Sequence, residues 1–231
     1  MIRAVVFDFD GLIVDTETAD FESVQAMFRH HGGELTIDVW GHCIGTGPEA
    51  FNPYDDLERQ IGRTYDREAA HAMRKQAYDA RMAEADVRPG VRSYLKEARR
   101  LGLRIGLASS STREWVTGYL KAYGLLDDFE CIRTRDDVTR VKPDPELYLK
   151  ALAALGVKPH EAVAFEDSPN GALAAYRAGM RCVVVPNAVT GLLTFGTHDF
   201  RLASMEEIGL AAVIERLQQT DILKNRGRDI Q

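Results

Sequence analysis

Two aspartates one residue apart, Asp8 and Asp10, stand directly after the apolar run Ala4–Phe7 and before Gly11. The run has the composition of a buried strand, and buried strands do not end in paired carboxylates without a chemical reason. In an extended segment, residues i and i+2 point to one face, which would bring the two carboxylates together, roughly 6–7 Å apart. Like charges that close call for a cation, or for a proton on one of them. Three further groups carry capable side chains. Ser109, Ser110, Ser111 and Thr112 follow the apolar run Ile105–Ala108. Lys142 precedes Pro143, which stiffens its backbone. Glu166 and Asp167 follow the run Ala162–Phe165.

The chemistry that suits this set is phosphoryl transfer. A phosphate needs hydrogen-bond donors, which Ser109, Ser110 and a helix N-terminus supply. It also needs positive charge, which Lys142 supplies. The carboxylates of Asp8, Asp10, Glu166 and Asp167 would repel an anion, so a hard divalent cation is implied, and oxygen ligands favour Mg²⁺. One carboxylate can then attack phosphorus to give an aspartyl-phosphate, while the second handles the leaving-group proton. Each piece alone has a plainer reading: a turn, a helix cap, a surface lysine, a helix-dipole acid. All of them in this order, each beside a strand end or a helix start, point to one site.

The elements that must hold these residues read as a doubly wound parallel α/β sheet. Four apolar runs, Ala4–Phe7, Ile105–Ala108, Ala162–Phe165 and Cys182–Val185, alternate with helical stretches. Ligands bind beyond the carboxyl ends of such strands, which is where the polar groups fall. Ser111 and Glu114 have capping-box spacing, with Gly124 as the stop. Asp144, Pro145 and Glu146 read as N-cap, first position and first-turn acid of a helix ending at Gly156. Ser168, Pro169 and Gly179 repeat that plan. Residues 16–86 break the pattern. Phe21, Val24, Met27 and Phe28 mark an amphipathic helix ending at Gly32–Gly33, a glycine-rich loop carries Gly41, Gly45, Gly47 and Pro48, and a long helical stretch covers Arg67–Ala85. The expected organisation is a core of residues 1–15 and 87–231 and a small helical cap of residues 16–86, hinged at Gly11–Asp15 and Asp86–Pro89. The polar tail Lys224–Gln231 reads as frayed.

Composition narrows the class. The 231 residues carry a net charge of −6, against a nucleic-acid-binding surface as the main function. No apolar run approaches the roughly 20 residues a membrane span needs. Cys43, Cys131 and Cys182 are scattered without metal spacing and read as reduced thiols, and no charged-then-apolar leader opens the chain; both predict a cytoplasmic protein. The partner expected is a small phosphorylated molecule, and the state expected is a monomer.

Asp8-Phe-Asp-Gly-Leu, Ser109, Lys142-Pro and Glu166-Asp167 resemble the four motifs of the haloacid dehalogenase-like superfamily. Their order, with a helical insert after the first, is similar to the beta-phosphoglucomutase-like, phosphatase-rich branch, over about residues 1–218. The resemblance implies Asp8 as nucleophile and Asp10 as general acid/base. It implies Ser109 and Lys142 on the phosphoryl group, and Mg²⁺ held by the Asp8 side chain, the Asp10 main-chain carbonyl and Asp167, with Glu166 as ligand or just behind. It implies that residues 16–86 close over the substrate. Dehalogenases of the superfamily lack the second aspartate, so Asp10 favours phosphate chemistry. Phosphonate-cleaving members use a cap lysine, and the first lysine here is Lys75. Mutases of the branch carry a histidine shortly after motif one and an arginine in the cap loop. Here those places hold Asp20 and lie near Pro48, in the stretch Gly45–Glu49. A cap entrance poor in cations suits water as acceptor, hence a phosphatase. Arg74 and Lys75 are read as a solvated helix face, with contact to an anionic substrate as the alternative. Candidate specificity residues are Glu17, Asp20 and Thr46, with His42 as a loop histidine and Trp40 and Phe51 as cap core. The alternatives are a sugar-phosphate mutase and a non-catalytic phospho-acceptor or binding module.

Overall fold

The computed structural model describes residues 1–46 and 51–226. Six parallel strands, β1 (Ala4–Phe7), β2 (Arg104–Ala108), β3 (Cys131–Arg133), β4 (Ala162–Glu166), β5 (Arg181–Val184) and β6 (Phe200–Arg201), form one sheet in the order β3-β2-β1-β4-β5-β6. The helices are α1 (Thr16–His31), α2 (Ile37–Gly41), α3 (Pro53–Ile61), α4 (Arg67–Glu84), α5 (Val91–Arg100), α6 (Arg113–Ala122), α7 (Glu146–Leu155), α8 (Pro169–Arg177) and α9 (Leu210–Arg226). The four apolar runs became the four central strands. The missed strands, β3 and β6, are short edges of three and two residues, without the length or continuous apolar character that marks a buried strand.

Alternation along the strands divides the core into two layers. Val5, Phe7, Ile105, Leu107, Val163 and Phe165 face α5, α6 and α9. The smaller Ala4, Val6, Ala162 and Ala164 face α7 and α8. The register aligns Phe7 with Leu107 and with Phe165. Asp8, Ala108 and Glu166 therefore follow at one level, with Ser109 one residue beyond. The order reverses across β1, which is the crevice where such sheets bind ligands.

Helices α1 to α4 lie within residues 16–86; α1 and α4 fall on the two expected helical stretches, α2 and α3 are additional, and α1 ends on Gly32 in a left-handed conformation. These helices share a separate hydrophobic cluster built on Val24, Met27, Phe28, Trp40, Ile44 and Leu57, with Phe51 packed on it. The two connections to the sheet pair with each other, through the Val14–Val87 bridge and the Arg88 N–H bond to Ile13 O, 2.8 Å. Gly47–Glu49, three of the five residues of the expected cap-loop stretch, and residues 227–231 of the tail lie outside the described residues.

Helix starts differ in detail. The cap of α6 is Thr112, whose Oγ1 accepts from Trp115 N at 3.3 Å, because Ser111 turns its hydroxyl to Asp10 instead. Helix α7 begins at Glu146 with Pro145 before it. Asp144 still accepts from Glu146 N at 3.0 Å, one residue earlier than a cap would sit. Helix α8 keeps its expected Ser168 cap, with Oγ accepting from Gly171 N. Among the described residues, no helix is long and apolar enough to cross a membrane.

Candidate active site

Asp8 is the first residue past β1. Its N–H donates to Phe165 O at 3.0 Å, and its side chain lies buried among the strand ends. Lys142, on the loop before α7, reaches the same place with its side chain only 1% exposed. Its Nζ donates to Asp8 Oδ1 at 2.5 Å and pairs with Glu166 Oε1 at 2.7 Å. Burial pulls the ammonium down, but Asp8 and Glu166 outweigh it and hold Lys142 above the usual lysine range. Burial, then the nearby Glu166 and Asp10, push Asp8 up to about 8 against the pull of Lys142. Asp167 is also held well above the usual carboxylate range, by burial and by Asp8, Glu17 and Glu166.

One carboxylate oxygen from each of Asp8, Glu166 and Asp167 lies within 4.8 Å of the others. Three buried carboxylates facing one ammonium form an all-oxygen donor set with excess negative charge, which fits a hard divalent cation. The three are not equivalent. Glu166 takes hydrogen bonds from Tyr148 Oη and from Ser168 Oγ (3.4 Å) besides its contact with Lys142. Gly171 lets α8 approach it, since a Cβ there would overlap the carboxylate. Asp167 takes a bond from Asn187 Nδ2 at 2.8 Å, and the Arg88 guanidinium lies near enough to favour its charge. Arg88 donates to the main-chain oxygens of Gly11, Val185 and Pro186, at 2.5, 2.9 and 2.8 Å, locking the β1 and β5 ends together.

Asp8 and Asp10 keep different hydrogen-bond partners, and Asp10 stays near enough to help push Asp8 up. Oδ1 of Asp10 accepts from Thr16 Oγ1 at 3.1 Å and Trp115 Nε1 at 2.9 Å. Oδ2 accepts from Ser109 Oγ at 3.2 Å and Ser111 Oγ at 2.7 Å. Ser109 is wholly buried, and its Oγ also accepts from Ser111 N at 3.0 Å. Ser110 faces the insert, donating to Gly45 O at 3.0 Å, while Asn170 Nδ2 donates to Ile44 O at 2.8 Å. The loop after α2 is thus tied down at the strand ends.

The first turns of α1 bring Glu17 and Asp20 to this cleft. Glu17 is half-buried, and desolvation, with Asp10, Asp20, Asp8 and Asp15 around it, pushes its carboxyl well above the usual range. Asp20 pairs with Arg74 of α4 at 2.6 Å. Arg74 is therefore not a solvated face, as its helical spacing had suggested; only its side-chain partner on α1 reveals that. Lys75 does fit that reading, exposed and paired with Asp79 on its own helix. Thr46 donates from Oγ1 to Cys43 O at 2.6 Å, His42 is exposed, and Trp40 and Phe51 belong to the insert's core. The sequence reading missed Arg88, Asn187, Trp115 and Tyr148. Asn187 had a signal, since it too follows a strand end.

A family model described as haloacid dehalogenase-like hydrolase matches residues 5–185. The chain belongs to the haloacid dehalogenase-like hydrolases. This hydrolase is 54% identical over 217 residues to "Putative phosphatase YhcW" of Bacillus subtilis (strain 168), covering 94% of this chain and 98% of that one. It is 31% identical to the validoxylamine A 7'-phosphate phosphatase of Streptomyces hygroscopicus subsp. limoneus, over 93% of this chain and 96% of the relative. The crystal structure of CbbY from Rhodobacter sphaeroides in complex with phosphate superposes with a TM-score of 0.69 at 31% identity, covering 91% of this chain and 98% of that one.

Proposed function

We propose that this hydrolase is a Mg²⁺-dependent phosphomonoesterase acting on a small phosphorylated metabolite, a sugar phosphate or similar, through an aspartyl-phosphate on Asp8. The observation that carries the reading is the buried lysine shared by two carboxylates: Lys142 on Asp8 and Glu166, with Asp167 beside them. Relatives named as phosphatases, including one of Thermotoga maritima named for phosphorylated carbohydrates, support it.

An oxygen of Asp8 attacks phosphorus as the bond to the leaving oxygen breaks, and Asp10 gives that oxygen a proton. Asp10 then takes a proton from water as the water oxygen attacks the aspartyl-phosphate, releasing phosphate and restoring Asp8. Lys142 and the Ser109 and Ser110 region hold the phosphoryl oxygens. Asp8, the Asp10 carbonyl and Asp167 would hold Mg²⁺, with Glu166 behind. The ion would neutralise the phosphoryl oxygens against the surrounding carboxylates. Residues 16–86 act as a cap that excludes water and reads the leaving group through Glu17, Asp20 and Thr46. A mutase must hold a second phosphate, and the cap arginine beside this cleft, Arg74, is already committed to Asp20. That favours water as acceptor. The free cysteines and net charge of −6 suit a cytoplasmic monomer with no nucleic-acid partner.

A panel of phosphorylated metabolites with Mg²⁺, read as released phosphate, tests the reading, and Asp8→Asn is expected to abolish release while the circular dichroism spectrum is kept. Substantial residual release from Asp8→Asn would sink the nucleophile assignment. An isomer in place of free phosphate, when a sugar 1-phosphate is supplied with catalytic bisphosphate, would establish the mutase. A long-lived phospho-Asp8 after exposure to a small phosphodonor would establish the acceptor module.

A further inference from the structure

The four donors on Asp10 are not alike. Thr16, Ser109 and Ser111 present hydroxyls, each of which can turn and accept as well as donate. Trp115 presents an indole N–H, which only donates. Its Nε1 lies 2.9 Å from Oδ1. The indole is held on both sides of the cleft: its ring centroid is 6.1 Å from that of Tyr78 on α4 and 4.9 Å, edge-on, from that of Tyr119 on α6.

A carboxyl oxygen that takes up a proton becomes a poor acceptor. Protonating Oδ1 would therefore set its hydrogen against a donor that cannot reverse. Oδ2 faces Ser109 and Ser111, at 3.2 and 2.7 Å, and both hydroxyls can rotate to accept from a proton placed there. We propose that Trp115 is a positioning residue that keeps Oδ1 of Asp10 as an acceptor and so assigns Oδ2 as the oxygen that carries the proton. This rests on the reading of Asp10 as the proton carrier of a phosphomonoesterase. The proton leaves Oδ2 for the leaving oxygen as that oxygen takes the electron pair of its broken bond to phosphorus. A proton from water returns to Oδ2 as the water oxygen bonds to phosphorus. Without the indole N–H, Oδ1 and Oδ2 compete for the proton and the carboxyl turns.

Trp115→Phe keeps a ring against Tyr78 and Tyr119 and removes the donor. Its test compares kcat/KM for an alkyl phosphate from the substrate panel with that for p-nitrophenyl phosphate, whose leaving group needs no proton. The alkyl phosphate is expected to lose about 10-fold and p-nitrophenyl phosphate less than about twofold. Asp10→Asn, measured alongside, is expected to show the same discrimination, larger. In a ¹H–¹⁵N spectrum the two indole N–H resonances, of Trp40 and Trp115, are assigned by Trp40→Phe; Asp10→Asn is expected to shift that of Trp115. Asp10→Asn without leaving-group discrimination would overturn the proton-carrier reading, and the proposal with it. Discrimination by Asp10→Asn, but equal losses or none for both substrates in Trp115→Phe, would overturn the role of Trp115 alone. So would an unmoved Trp115 resonance.

Discussion

Lys142→Met removes the one ammonium among three buried carboxylates while keeping a side chain of similar length. Lys142 sits 2.5 Å from Asp8 Oδ1 and 2.7 Å from Glu166 Oε1. At an effective dielectric of about 20, each contact is worth about 6 kcal/mol before desolvation is charged against it. Taking the ammonium out of water cancels much of that. Removing one partner of a buried pair costs about 3–5 kcal/mol, because the stranded charges stay buried. For a chain of this size that lowers Tm by about 10 °C. The loss has a pH signature in metal-free protein. Burial raises Asp8 from its ordinary 3.8 to about 8. The folded chain therefore holds a proton there that the unfolded chain has released. Stability from that proton is complete below about pH 4 and is lost as pH rises through about 8. At about pH 5 the substitution costs chiefly the attraction to Glu166; at about pH 9 it costs the attraction to Asp8 as well. Thermal melts in chelator at both pH values are expected to show the larger deficit at the higher one. A deficit that is equal or smaller there, or a Tm within about 2 °C of the parent at both, would refute the reasoning.

Other substitutions probe the supports around the carboxylates. Asn187→Ala strips Asp167 of its hydrogen bond and is expected to raise the Mg²⁺ concentration for half-maximal activity by about 10–100-fold; a change under about threefold would count against it. Gly171→Ala places a methyl group into the Glu166 carboxylate and is expected to cost about 2–3 kcal/mol in urea unfolding, with activity falling as Glu166 moves. An unchanged urea midpoint would count against that close approach. Tyr148→Phe leaves a buried carboxylate oxygen without its phenol donor, and about 1–3 kcal/mol of stability is expected to go; a midpoint equal to the parent's would show that Lys142 alone satisfies Glu166.

The residues that make the chemistry were legible because they follow strand ends, and strand ends are written locally. Ala4–Phe7, Ile105–Ala108 and Ala162–Phe165 are apolar over consecutive positions, and each hands its next residues to one edge of the sheet. Asp8, Ser109, Glu166 and Asp167 could therefore be grouped without coordinates, and Lys142 joined them through its place before Pro143. Edge strands β3 and β6 could not, since two or three half-exposed residues carry no such pattern. The partners that Asp10 keeps were also beyond local reading. Alternation in a strand predicts the face a side chain takes, not the distant donors it meets there.

The sequence by itself determined which strand end each carboxylate and serine motif follows and the helical stretches of α1 and α4, because burial and periodicity act over a few residues. Tertiary structure decided which side chains each carboxylate meets. Lys142 lies 134 residues from Asp8, Trp115 lies 105 from Asp10, and Arg74 lies 54 from Asp20. Hydrogen bonds act over about 3 Å, so such partnerships exist only once the sheet register and the seat of the insert are fixed.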